Sequence, residues 1–265
     1  MICLTSWRIA VCTDMELTAQ DKLLCSRVED FIKLAQERYQ SKCTFFLDER
    51  QQALCIKTAK VNHFNNYSLS GGYPNAQRRV FGVFDEFTCD DERDYGICPI
   101  TCTFADFRKL THRDFLGTLM SLGIKRECVG DILVEDGKAV IFVTASVEAH
   151  VLASLTKVGN MGIKIQRGIV GELPQAYTLV PVKGTVSSMR LDCLVAMLTG
   201  LSREKSTRII EAGQVFLNYM ENDNQSAAVA EKDVLTIRGY GKFIVESVNG
   251  VTKKGRYSVT CNKFV

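Results

Sequence analysis

Asp131-Ile-Leu-Val-Glu-Asp-Gly-Lys-Ala-Val-Ile-Phe-Val-Thr-Ala-Ser146 carries two apolar runs on either side of Asp136-Gly137. Asp-Gly between such runs is a strong two-residue hairpin signal, because glycine accepts the positive φ that the turn demands. Strands are therefore expected at Asp131 to Glu135 and Lys138 to Ala145. Working outward, a helix is expected from His112 to Leu122, preceded by a strand at Pro99 to Phe104. On the other side follow a helix across Val147 to Val158 and a strand around Ile163 to Gln166. The order between Cys98 and Gly184 is βαββαβ, the ferredoxin-like arrangement that many RNA-recognition domains share. Fold alone does not supply function. Phe104 and Phe142 could stack bases, but no basic-Gly-aromatic pattern accompanies them, and they serve equally well as core.

Upstream, Leu23, Leu24, Val28, Phe31, Ile32 and Ala35 recur at three- and four-residue spacing, which predicts an amphipathic helix from Thr18 to about Tyr39. Asp48 and Gln51 have capping-box spacing for a second helix. Gly71-Gly72 marks a turn, Pro74 is expected to start a short helical piece, and Arg79 to Phe87 reads as a strand. Downstream, Thr185 to Ser188 is small and polar and precedes an abrupt return to helical periodicity. These signals divide an α+β chain into a mixed N-terminal domain (15–95), an RRM-like middle domain (96–184) and a C-terminal domain (185–265).

The 265 residues are 46% apolar and 24% charged, which excludes a disordered chain. The most apolar runs, such as Ala139 to Val143, are far too short to span a bilayer. Met1 to Cys12 has some signal-peptide flavour, but Arg8 interrupts it and no small-residue cleavage site follows. Eleven scattered cysteines, an odd number, suit a reducing cytosol better than a disulfide framework, so a cytoplasmic protein is expected. Cys89, Cys98, Cys102 and His112 form the nearest approach to a metal set, yet no Cys-x-x-Cys unit frames them. Buried free thiols are the expectation there, with no metal and no cofactor.

Net charge is only +3, but its placement is uneven: residues 185–265 hold eleven Lys and Arg against eight Asp and Glu, while residues 1–184 balance at 22 of each. The formal excess therefore sits in the C-terminal part. There a helix is expected from Met189 to Leu198, broken by Gly200. Ser202 caps a second helix that Gly213 terminates. Lys205 and Arg208 share one face of that helix, with Arg203 at its start, while Ile209 and Ile210 turn inward. Gln214 to Asn218 alternates as a strand. Asp233 to Phe243 gives another strand, a glycine-marked turn and the start of a third, with Arg238 and Lys242 flanking the turn. Cations on a helix start and a neighbouring loop suit RNA phosphates.

The stretches Met189-Arg-Leu-Asp192, Leu201 to Asn218 and Asp233 with Arg238-Gly239 resemble the S4-type RNA-binding domain. Tyr219 departs from that pattern, standing where the usual Asn-Gly hairpin has its glycine. Phe46-Leu-Asp-Glu-Arg-Gln-Gln52, Gly71-Gly-Tyr73, Arg78-Arg79, His112-Arg-Asp-Phe115 through Ile124, and Val129-Gly-Asp-Ile132 resemble the YlmH family of bacterial S4-domain proteins. The resemblance implies a middle domain that binds RNA and a monomer associated with the large ribosomal subunit. It also implies binding of ribosomal RNA or tRNA and a part in clearing stalled peptidyl-tRNA. RNA contact is then expected at Arg190, Ser202, Arg203, Lys205, Arg208, Arg238, Lys242, His112 and Arg113, although Arg190 has Asp192 as an alternative partner.

No catalytic residue is expected. His112 and Asp114 could exchange a proton, but Thr111 and Asp114 have capping-box-like spacing that would employ Asp114 structurally. Two other classes remain open. One is an RNA-modifying enzyme using the S4-type part to hold substrate, against which stand the isolated Arg190-Leu-Asp192 and the lack of a Gly-x-Gly cofactor loop. The other is an interaction scaffold linked to cell division.

Overall fold

The computed structural model describes residues 17–74, 76–105, 109–175, 179–252 and 255–265. Met1 to Cys12, with its signal-like composition, lies outside them. The chain begins with helix α1 (Ala19–Arg38), strand β1 (Lys42–Leu47), helix α2 (Glu49–Val61), β2 (Tyr67–Ser70) and β3 (Arg79–Val83). Both helices start in capping boxes. The Thr18 hydroxyl and Asp21 carboxylate exchange hydrogen bonds with each other's backbone, as do Asp48 and Gln51. Arg50 then ties the two helix starts together by donating to both Asp21 oxygens at 2.7 and 2.8 Å. That fork holds the Asp21 carboxyl well below the usual carboxylate range. The helices cover an antiparallel sheet of order β1-β3-β2, with Val28, Ile32, Leu47, Cys55, Phe81 and Val83 buried between.

Two local expectations differ from the structure. β3 ends at Val83 rather than Phe87, because the Asp85 carboxylate accepts the backbone N–H groups of Phe87 and Thr88 and draws them off the ladder. The described residues around Pro74 form bends and a turn, not a helix. There the Gln77 and Arg78 N–H groups donate to the side chain of Asp131, so helical acceptors are not used.

The middle part runs β4 (Ile97–Thr103), α3 (His112–Ser121), β5 (Val129–Glu135), β6 (Lys138–Thr144), α4 (Ala145–Ser154), the small hairpin β7 (Lys157–Val158) and β8 (Met161–Gly162), and β9 (Lys164–Arg167). The antiparallel sheet has order β5-β6-β4-β9, the split arrangement expected for βαββαβ. Asp136-Gly137 connects β5 to β6, with Glu135 opposite Lys138. α4 stops at Ser154 instead of Val158 because Val158 pairs with Met161 in the small hairpin.

This sheet is covered on both sides. α3 and α4 cover Ile100, Cys102, Ile132, Ala139, Ile141 and Val143. On the opposite face Val140, Phe142 and Leu133 pack against Phe46 and Val80 of the first sheet. Hence Ala139 to Val143 reads as a continuous apolar run rather than an alternating one.

The last part comprises β10 (Leu179–Val186), α5 (Leu191–Thr199), α6 (Arg203–Glu211), β11 (Val215–Leu217), β12 (Met220–Glu221), β13 (Val234–Ile237), β14 (Gly241–Val251) and β15 (Tyr257–Phe264), with sheet order β10-β15-β14-β13-β11-β12. β10 pairs along its whole length with β15, so this sheet takes in residues from Leu179 onward, before the polar stretch at Thr185. α5 and α6 pack on one face through Leu191, Leu194, Val195 and Ile210 against Val215, Leu235, Phe243, Val245 and Cys261. Gly213, at φ 66, ends α6 as expected. Its N–H donates to Ile210 O, and Gln214 N–H donates to Ile209 O. No helix among the described residues is long and apolar enough to cross a membrane.

Candidate nucleic-acid interface

α5 and α6 meet over a carboxylate. Asp192, 1% exposed, lies between two guanidiniums: Arg190 Nε at 3.1 Å from Oδ1 and Arg203 Nε at 2.8 Å from Oδ2. Burial alone pushes the Asp192 carboxyl up, and the hydrogen bonds from Arg203 and Arg190 more than offset it, leaving the group below its ordinary range. Arg203 keeps 60% of its side chain exposed and Arg190 keeps 37%, so both are oriented by Asp192 without being hidden.

Ser202 opens α6, its hydroxyl accepting from Lys205 N–H at 3.4 Å. Lys205 is exposed and has no ion-pair partner among the described residues. Arg208 meets Glu204 one turn away at 2.5 Å, both more than 70% exposed. A surface pair of that kind is worth little and exchanges readily for another anion. Arg190, Ser202, Arg203, Lys205 and Arg208 are thus brought onto one two-helix unit.

The structure sets Arg238 and Lys242 apart from that unit. Phe243 and Val245 point into the core beneath α5 and α6, so by strand alternation Lys242 points to the opposite face of the sheet. There its ammonium meets Glu49 of α2 at 2.6 Å and lies over the rings of Tyr219 and Phe264. Arg238 is exposed, with its guanidinium 5.2 Å from the centre of the Phe216 ring. The Asn218-Tyr219 turn takes φ values of 50 and 67, so the tyrosine adopts the left-handed conformation that glycine would hold more cheaply. Asn218 secures it by accepting from Val234 N–H and donating to Asp233.

At α3, the Asp114 carboxylate accepts from the Thr111 N–H and hydroxyl at 2.8 and 2.7 Å, which is capping rather than proton exchange. His112 and Arg113 are exposed at the helix start. Partial desolvation, together with the nearby Arg126, lowers the His112 pKa and favours its neutral form. Arg126 escaped the sequence reading because it lies in a short turn between α3 and β5, where no periodicity marks it.

Phe142 is wholly buried, stacked on Tyr73 with ring centroids 4.9 Å apart, and Phe104 packs on Phe115. The central strands of the middle sheet therefore offer no open aromatic face to a base. Among the described residues no three His, Cys, Asp or Glu side chains gather where a metal ion could sit. Cys102 is buried, its thiol pushed up to about 12 by desolvation. Cys98 is partly covered. Cys89 corrects the expectation of buried thiols: it is exposed, in the loop that precedes a short 3-10 turn at Asp90–Glu92.

Residues 91–171 match the family described as "Putative RNA-binding domain in YlmH". Over 230 residues, 86% of this chain and 89% of its counterpart, the sequence is 33% identical to the ribosome-associated protein quality control protein P2 of Bacillus subtilis strain 168. The solved structure of cell division protein ylmH from Streptococcus pneumoniae aligns with a TM-score of 0.49 at 22% identity, covering 60% of this chain and 96% of that one.

Proposed function

This chain belongs to the YlmH family, and from that premise we propose that it is a non-enzymatic RNA-binding protein of the ribosome. Its targets are structured ribosomal RNA and tRNA on the large subunit. Its process is the one named in its Bacillus subtilis relative, quality control of stalled translation complexes. The α5–α6 unit acts in it as an S4-type clamp.

The observation that supports this reading is the buried Asp192 with a guanidinium on each side. A carboxylate that fixes two arginines removes their rotamer freedom before a ligand arrives, which lowers the entropic cost of each phosphate contact. Lys205 and Arg208 extend the same surface along α6. Each cation neutralised against a phosphate releases counterions, so affinity falls steeply with salt. Catalysis is not required of any of these groups. Asp192 in particular is engaged on both oxygens and is not free to act as a base.

The test is sedimentation of cell lysate at low and moderate salt. It compares the wild type, an R203E/K205E/R208E variant, and a K205E/R208E variant that leaves Asp192 its two arginines. Salt-sensitive migration of the wild type with the large subunit, lost in both variants, is the expected result. Wild-type protein remaining among free soluble proteins at both salts would overturn the ribosomal assignment.

A further inference from the structure

The middle sheet is closed on both faces, so an RNA strand that reaches residues 91–171 meets it only at a rim. At the start of β5 on that rim two arginines converge. Val129 O accepts from Arg126 Nη1 at 2.6 Å and from Arg78 Nε at 3.0 Å, and the shared oxygen forces two like charges together. We propose that Arg126, with Arg78 beside it and His112 at the adjoining helix start, is a phosphodiester-binding subsite for RNA. The proposal rests on the RNA-binding reading above and assigns it a second contact surface.

The arrangement is built rather than incidental. Arg78 also donates to Phe46 O at 2.9 Å, and Arg126 also reaches Gly130 O at 3.4 Å. Gly130 has no room for a side chain, since a Cβ there would stand 2.6 Å from the Phe46 ring. Asp131, the nearest carboxylate to Arg126, is already used: it accepts from Tyr73 Oη at 2.7 Å, Gln77 N at 2.6 Å and Arg78 N at 3.1 Å. Asp48 and Glu49, which also face Arg78, are occupied by the α2 cap and by Lys242.

Among the described residues neither Arg78 nor Arg126 has an ion-pair partner. Each guanidinium carries five N–H donors, of which these carbonyls take only a few. None of their nitrogens is a buried donor left without a partner, so the remaining donors face solvent. Burial and the Arg78 charge pull the Arg126 pKa down to about 10. A bound anion relieves that repulsion, and a forked guanidinium pair matches the two free oxygens of a phosphodiester.

The experiment measures binding of the full chain to a fluorescein-labelled RNA hairpin by anisotropy across a salt series, using wild type, Arg126→Gln, Arg126→Lys and K205E/R208E. Arg126→Gln is expected to weaken binding about tenfold and to reduce the slope of log affinity against log salt by about one contact. Arg126→Lys is expected to restore the slope. In parallel, phenylglyoxal modification of wild-type Arg126, read by mass spectrometry, is expected to slow when the hairpin is present, while Arg27 on α1 reacts unchanged. This second readout needs no variant to fold. An unaltered slope in Arg126→Gln together with unprotected Arg126 overturns the subsite. So does protection by inorganic phosphate at matched ionic strength but not by the hairpin. Loss of binding in K205E/R208E alongside either result leaves the RNA-binding reading standing. No saturable hairpin binding by the wild type sinks both.

Discussion

The middle and C-terminal sheets solve the same packing problem in opposite ways. β6 is buried from Ala139 through Thr144 because helices cover one face and the N-terminal sheet the other. β15 and β10 bury one face under α5 and α6, and most of their remaining positions are half-covered or exposed. The family motifs follow that difference. In the first two parts they mainly weld sheets together, as with Gly130 under Phe46 and Asp131 on the 73–78 loop. In the last part Arg203, Lys205 and Arg208 stay on the surface. A motif residue thus serves cohesion where the sheet is enclosed, and recognition where it is open.

The sharpest test of this contrast pairs two phenylalanines. Phe142→Ala is expected to cost about 3–5 kcal/mol, the usual loss for a fully buried aromatic. Phe216→Ala, on the outer face of the C-terminal sheet, is expected to cost under about 1 kcal/mol. Urea melts of both variants decide it, and equal losses would erase the distinction between the enclosed and the open sheet.

Asp192→Asn comes next, at about 1–3 kcal/mol, since it weakens two charge-assisted hydrogen bonds to a buried group. The exposure of both arginines keeps the figure below that of a fully buried pair. Because the folded pKa of Asp192 is depressed, its contribution is present above the unfolded carboxyl value near 3.9 and is lost as pH falls through the folded value. Acid titration of stability below about pH 4 should therefore be shallower in Asp192→Asn than in the wild type.

Smaller effects refine the picture of the open sheet. Tyr219→Gly relieves about 1 kcal/mol of left-handed strain and gives up part of that in the Lys242 contact. A net gain below about 1 kcal/mol in thermal melts is expected. Arg208→Ala should change stability by less than about 0.5 kcal/mol and still lower the salt slope of RNA binding by about one contact. A stability loss much above that would mean the Glu204 pair is structural and the surface less available than argued.

What could be read from the sequence was local. Thr18 with Asp21, Asp48 with Gln51 and Thr111 with Asp114 act within three residues, and Asp136-Gly137 and Gly213 act within one turn. The βαββαβ order then leaves few sheet arrangements, and the observed one is among them. Partners far apart in the chain left no such mark. β10 resembles a linker by composition, yet Leu179 pairs with Phe264. Lys242 reads as a free cation beside a glycine turn, and its Glu49 partner is 193 residues away. Arg126 carries no periodic signal, and only the meeting of the 73–78 loop with β5 gives it a neighbour.

The contact between Phe46, Val80 and the far face of β6 also has a consequence for synthesis. The N-terminal sheet is complete at Val83, but the strand that covers it ends at Thr144, about 60 residues later. At roughly 5–20 residues per second, the nascent chain carries that bare apolar face for about 3–12 s before its cover emerges. Slow codons or a pause within that interval would lengthen the exposure, and trigger-factor-like holdases would find their binding window there.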